Sequence, residues 1–442
     1  MCGLGSAIAL GPHEVLVLIN ENSADSAEIA ASFVKLRQVP EQNVVKVRLP
    51  DTVTNSHARI SADDFTNLIW NPANKAMKDR GLDGHILAWV YSSGFPVMVL
   101  TDPPMSLQGA TFVRNVRPEP EKILKGTYVS PVCGGFGRDG YMPRSFDSIR
   151  DILREDMPLP SMMLGYTGER GNTKEQVLKC IERGVASDFS APTGTVYFVT
   201  SKDVRSQCRE WEFPAVKKEL SSKGVQSVIT GEFPVAGKGI AGLMMGLAAV
   251  EPGKDNVYLP GSMAEHLTSA AAMFGSPDQT KLSVWIGAGA AASCGTVVEP
   301  MSIWAKFPHA RFFVHYAAGC TMMESFFQSV QCPLELLIVG EPLARPWAPR
   351  AELTLSGLEK ERVAGTISVR AAVDSKGSDL YGSYMYLVDG RVAGLKQQLE
   401  LDTRTLKDGP HLLRCVAYRS APVKVQVFKE VKFVVANQAE KK

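Results

Sequence analysis

Two rhythms divide the chain. Up to about Pro349, short apolar runs alternate with stretches whose apolar residues recur at helical spacing; beyond it, apolar and polar residues alternate one by one. Residues 14–20 (EVLVLIN) form a compact strand-like run, followed by the capping cluster Glu21, Asn22 and Ser23. In residues 26–38, Ala27, Ala30, Ala31, Val34 and Leu36 fall close to helical spacing, and Pro40 lies just past the end. Residues 44–49 alternate as a strand, 60–80 read as a capped amphipathic helix, and 85–92 (HILAWVYS) as a third strand. Residues 101–131 are rich in proline without periodicity, which predicts a loop or insertion; short helices are expected at 145–156 and 173–183. Alternation then resumes, with strands at 195–200 and 225–230, a helix at 209–223, a Gly-rich apolar segment at 239–250 and a helix at 262–274. Strands alternating with helices predict βαβ units and a mostly parallel sheet.

Residues 285–349 carry the strongest sequence character. Small side chains from Ala288 to Ser293 read as a strand that admits close backbone approach. A Gly-Thr-Val-Val-Glu-Pro exit follows, then an apolar helix, then Leu336, Leu337, Ile338 and Val339, an unbroken run closed by Gly340 and Pro342. Such a run predicts a strand covered on both faces. The two strands are expected side by side in one covered sheet, their tips bordering a shared hollow.

After the Pro-Trp-Ala-Pro join at residues 346–349 the period becomes two, with six or seven short strands and turns at Asp389-Gly390 and Asp408-Gly409. Asp-Gly between alternating runs signals a hairpin, and the whole predicts an immunoglobulin-like β-sandwich. The expected organisation is thus an α/β domain over 12–349, with an insertion at about 101–190, and an all-β domain over 350–437.

Composition narrows the function classes. Across 442 residues, 45% are hydrophobic, 21% are charged and the net charge is +2, so no basic excess draws the chain to nucleic acid. No apolar run reaches the roughly 18–20 residues that span a bilayer. The start, MCGLGSAIALGPHE, has an apolar segment without Lys or Arg ahead of it, which is not a complete signal peptide. Eight cysteines occur without any C-x-x-C pair, so metal-ligand spacing is absent and no cofactor is expected. Gly135, Gly137 and Gly140 fit G-x-G-x-x-G, but no βαβ unit surrounds them and Pro143 interrupts the next helix, so they read as a glycine loop. Walker, H-E-x-x-H and G-x-S-x-G motifs are missing.

The candidate chemistry is sparse. His266, within the helix expected at 262–274, is either a structural hydrogen-bonder or a general base. Cys294, at a strand end before Gly295, is either a buried thiol or a nucleophile that needs a histidine within hydrogen-bond reach. Glu299 and His315 are polar groups among apolar neighbours, pocket-lining or core. Glu299 is the candidate orienter of the base; Thr268, Ser269, Gly295, Thr296 and His315 are candidates to line the pocket around it.

Several strings occur together in order: VLVLINENSADSAEIA, YSSGFP, LPGSMAEHLTS, IGAGAAASCGTVVEP, KFP with HYAAGC, and VGEPLARP. In these, over about residues 12–349, the chain resembles a family of uncharacterised, mostly bacterial and often exported proteins. Gly340-Glu341-Pro342-Leu343 departs from the Gly-Asp-Pro-Leu usual in that family while keeping the charge. More distantly it is similar to the caspase-like clostripain- and gingipain-type cysteine peptidases. The first resemblance implies an extracytoplasmic location, and the second implies a caspase-like three-layer core and a cysteine-dependent hydrolase or peptidase. It also implies a His-Gly and a Cys ending consecutive central strands, where this chain has Ser93-Gly94 and Thr200-Ser201. Two functions follow. One is a peptidase- or hydrolase-like protein, catalytically degenerate or using His266, Cys294 and Glu299. The other is a non-enzymatic surface protein whose α/β domain holds a peptide or glycan and whose sandwich docks to a partner.

Overall fold

The computed structural model describes residues 10–51, 53, 59–114, 116–136, 142–144, 146, 158–374, 380–420 and 423–437. Ten strands form one mixed sheet with helices packed against it, and separate, mostly antiparallel sheets follow at the C-terminal end. The architecture is therefore α/β followed by β. The helix expected at 145–156 lies largely outside the described residues.

The sheet is two parallel groups with a single strand between them. Val44–Val47, Val15–Asn20, Ala88–Tyr91 and Ser161–Met163 are mutually parallel in that order across one side. Ala292–Thr296, Val257–Leu267, Lys238–Gly246, Thr195–Val199 and Gln226–Thr230 are mutually parallel across the other. Leu336–Gly340 sits between the groups, running parallel to Ser161–Met163 with Val339 registered on Met163, and antiparallel to Ala292–Thr296. Val15–Asn20, Ala292–Thr296 and Leu336–Gly340 are buried along their whole length.

Four expectations change. The 101–190 stretch is not simply an insertion, because Ser161–Met163 is an internal strand of the sheet and Lys174–Ala186 a helix beside it. The small-residue run splits into a helix, Ser283–Ala288, and the strand Ala292–Thr296, so Gly295 and Thr296 belong to the strand rather than its exit. The apolar helix is two, Phe312–Ala317 and Met322–Ser329. Because Ala292–Thr296 and Leu336–Gly340 run in opposite senses, the end of one adjoins the start of the other, and their tips do not share a hollow. Close approach does explain the small residues: a Cβ on Gly340 (φ +134°) would lie 2.2 Å from the Ala291 carbonyl oxygen.

Past Pro349, Glu352–Ser356, Thr366–Asp374 and Gln398–Asp402 make one sheet. A five-stranded sheet faces it, with Leu353, Val369, Tyr386, Leu399, Cys415 and Phe433 in the core. Asp389 and Gly390, both at positive φ, form the expected hairpin. Asp408-Gly409 does not, because the strands on either side of it lie in different sheets.

Buried charge holds the core together. Glu341, fully buried just past the central strand, receives Nε and Nη2 of Arg37, at 3.0 and 2.5 Å. Arg37 Nη1 reaches Asp188 Oδ2 at 2.5 Å, and the Arg345 amide donates to the other oxygen of Asp188 at 3.1 Å. Arg345 Nη1 then donates to the Gln426 carbonyl in the β region, whose Gln426 Nε2 donates to Glu14. Leaving one member of such a set unpaired costs about 3–5 kcal/mol, while replacing a pair by apolar groups of similar volume is often neutral. Arg37→Met should therefore lower the unfolding free energy in denaturant titration by roughly 3–5 kcal/mol, with Arg37→Met/Glu341→Met recovering part of the loss.

Candidate binding site

The expected catalytic group is not assembled. His266 lies in the strand Val257–Leu267, not in a helix. Its run of Ser, Met and Ala suits a helix by propensity, but pairing with Lys238–Gly246 and burial on both faces override that preference. Trp285 Nε1 donates to His266 Nδ1 at 2.8 Å, so Nε2 carries the proton and donates to the Thr280 carbonyl at 3.1 Å. Both ring nitrogens are thus used. Burial drives the imidazole down to about 4, keeping it neutral.

Cys294 is buried in the strand Ala292–Thr296. Burial pushes its thiol well up, and the Glu265 carboxylate adds to the effect against a smaller opposing pull from Arg209. Cys294 thus belongs with Glu265, in the main core with Met244 and Met263. His266 pairs with Met245, and Met245 packs with Ala264 and Trp285 in a second cluster. Since Glu265 and His266 are successive residues of one strand, they face opposite sides. The sheet itself separates the imidazole from the thiol.

Glu299 is exposed and does not orient His266; it accepts from Ser269 Oγ at 3.0 Å and from the Met301 amide at 2.8 Å, fixing the turn after the strand. Thr296 Oγ1 donates to the Ser269 carbonyl at 3.3 Å, and Thr268 Oγ1 donates to Gln279 Oε1. Ser269, Thr296 and Glu299 do meet, as a loop brace. Gly295 packs so tightly that a Cβ there would lie 2.4 Å from that of Ala271. His315 is buried in Phe312–Ala317 with neither ring nitrogen hydrogen-bonded, and burial drives it to about 3. Among the described residues the seven cysteines are free thiols, and none of the His, Cys, Asp and Glu groups could hold a metal ion. No described helix is long and apolar enough to cross a membrane.

The structure instead gathers aromatic rings where two parallel strands end. The loop after Thr195–Val199 brings Trp211, and the loop after Ala292–Thr296 brings Trp304 and His309. Trp211 meets Trp304 edge-on at 5.6 Å and His309 at 5.7 Å, while Phe136 stacks on His309 at 4.4 Å. Trp211 is 53% exposed; His309, at the base of the rings, is 3% exposed. The carboxyl ends of parallel strands are where open α/β sheets hold ligands.

Buried polar groups fix these loops. Arg209 Nη2 lies 2.6 Å from Glu265 Oε1 and also donates to the Met245 carbonyl, while Nη1 reaches the Pro308 carbonyl at 3.4 Å. Glu212 Oε2 accepts from the Ala310 amide at 2.8 Å, so each loop is tied to the other. Burial raises Glu265 to about 7 against the opposing pull of Arg209, and raises Glu212 to about 8. Both carboxyls are inaccessible, so they act as a pedestal rather than an acid–base pair. The Arg311 amide donates to His309 Nδ1 at 3.1 Å, which fixes the proton on Nε2, and burial holds the ring neutral, at about 3. Among the described residues no group accepts from that Nε2. Sequence reading missed Trp211 because 209–223 reads as one helix, whereas the helix begins at Phe213 after a short 3-10 turn. The signal was an indole between charged neighbours, Arg-Glu-Trp-Glu.

No family model matches the chain, and no curated protein matches it. Among solved structures it is similar in part to the fibronectin(III)-like modules of Clostridium thermocellum CbhA, at 18% identity and a TM-score of 0.17, over 26% of this chain and 57% of that one. It is also similar to the Clostridium perfringens spore cortex lytic enzyme SleM, at 10% identity and a TM-score of 0.19, over 65% and 83% of the two chains. A third is the endo-beta-1,4-mannanase of Thermotoga petrophila, at 13% identity and a TM-score of 0.16, over 60% and 50%. At such TM-scores none of these likenesses bears on function.

A buried, protonated thiol is a poor nucleophile. In the folded protein at neutral pH, Cys294 should take up iodoacetamide no faster than a free thiol, with peptide mapping finding label there only after denaturation. Rapid labelling of Cys294 in the native state would instead identify a thiolate.

Proposed function

We propose that the protein is a non-catalytic binding protein on a hydrolase-like α/β scaffold, and that it holds a glycan on the Trp211–Trp304 shelf. In this reading the α/β part is a caspase-like core without a working His–Cys pair, and the C-terminal part is an immunoglobulin-like sandwich of an exported protein. The observation that carries the reading is the exposed indole of Trp211 beside a neutral imidazole N–H. A sugar ring offers a matching surface, with an apolar C–H face to lie on the indole and hydroxyl oxygens at its rim to accept from His309 Nε2. Aromatic faces supply most of the contact energy at such sites, and a few fixed polar groups supply orientation. The pedestal of Arg209, Glu265 and Glu212 is what a binding surface needs, since it holds the rings in place before the ligand arrives.

The test is a titration of oligosaccharides followed by tryptophan fluorescence and calorimetry, with product analysis alongside. Binding without turnover is expected, and Trp211→Ala should weaken it roughly tenfold, about 1.4 kcal/mol, without changing the melting temperature appreciably. Hydrolysis of the bound sugar, or binding indifferent to Trp211→Ala, overturns the reading.

A further inference from the structure

The two edges of the sheet are treated differently. At one, beside Val44–Val47, Arg80 Nη1 donates to the Gln42 and Val44 carbonyls, both at 2.7 Å, so a guanidinium covers part of the edge. At the other, Gln226–Thr230 pairs among the described residues only with Thr195–Val199, and its residues remain partly exposed throughout. Its sequence, QSVIT, contains no charge, no proline and no bulge. Those are the devices by which proteins keep an open edge from pairing, and an edge lacking them is a template for another strand.

We infer that Gln226–Thr230 is the interface of a two-fold dimer, in which the same strand of a second copy pairs antiparallel and joins two ten-stranded sheets into one. Antiparallel pairing centred on Val228 is self-complementary: Val228 faces its own copy, Ser227 faces Ile229, and Gln226 faces Thr230. No like charges oppose one another within the strand. The flanks add attraction. Lys223, three residues before the strand, and Glu232, two residues after it, are exposed and have no ion-pair partner among the described residues. The antiparallel register brings Lys223 of each copy within one residue of the position opposite Glu232 of the other, a closed two-fold arrangement. A notch of about 540 Å³, lined by Lys217, Ser221, Gly224 and Val225 among others, runs beside the strand and leaves room for the approach of the second copy.

The test uses the full chain. Sedimentation or light scattering should give twice the 48.0 kDa chain mass at micromolar concentration, and Val228→Lys should return the single-chain mass while circular dichroism shows an unchanged fold. The register is read separately by single substitutions to cysteine under mild oxidation. Val228→Cys should cross-link to its own copy, because directly opposed Cβ atoms lie about 4.5–5.5 Å apart, and Gln226→Cys should cross-link much less. A wild-type chain that stays single at these concentrations overturns the proposal, as does cross-linking at 226 equal to that at 228.

Discussion

A carboxylate buried past the end of a fully covered strand cannot stay charged alone, and Arg37 meets that constraint for Glu341. The pairing fixes much else. Arg37 ends the first helix, Ala24–Arg37, so its position sets where that helix lies against the sheet. Asp188, just past the helix Lys174–Ala186, shares the guanidinium and reaches forward to Arg345. From Arg345 the chain of contacts passes to Gln426 and Glu14, which brings the C-terminal sheets onto the start of the first strand. Glu341 thereby presents both of its carboxylate oxygens to one guanidinium.

The same physics, repeated on the far side of the sheet, builds the shelf. Arg209 and Glu265 are buried together, and Glu212 is buried against a backbone amide, so the two loops that carry Trp211, Trp304 and His309 rest on groups that cannot move without losing their partners. One device locks the sheet and the other locks the loops. Neither presents a nucleophile, and the His309 imidazole at the shelf is neutral and already committed through Nδ1.

Much of the fold was legible, for a plain reason. Strands covered on both faces need continuous apolar runs, and EVLVLIN, HILAWVYS and LLIVG stand out as such. Period-two alternation after Pro349 was equally direct. Three features were not readable. Strand direction leaves no local trace, so the antiparallel seam between Ala292–Thr296 and Leu336–Gly340 appears only with the coordinates. Small residues suit helix and strand alike, which concealed the break between Ser283–Ala288 and Ala292–Thr296. A buried strand whose second half reads Ser-Met-Ala-Glu imitates a helix, and that misplaced His266. The candidate site suffered most, because which face a side chain occupies depends on an alternation that the wrong element type scrambles.

Amide hydrogen exchange over the intact chain addresses the organisation of the sheet most directly. The account predicts that amides of Leu336–Gly340 and Ala292–Thr296 exchange last of all, only through global unfolding, together with those of Val15–Asn20. Exchange at this seam as fast as at a loosely held surface loop would contradict it, since the seam would then be neither covered nor tied to the buried charges.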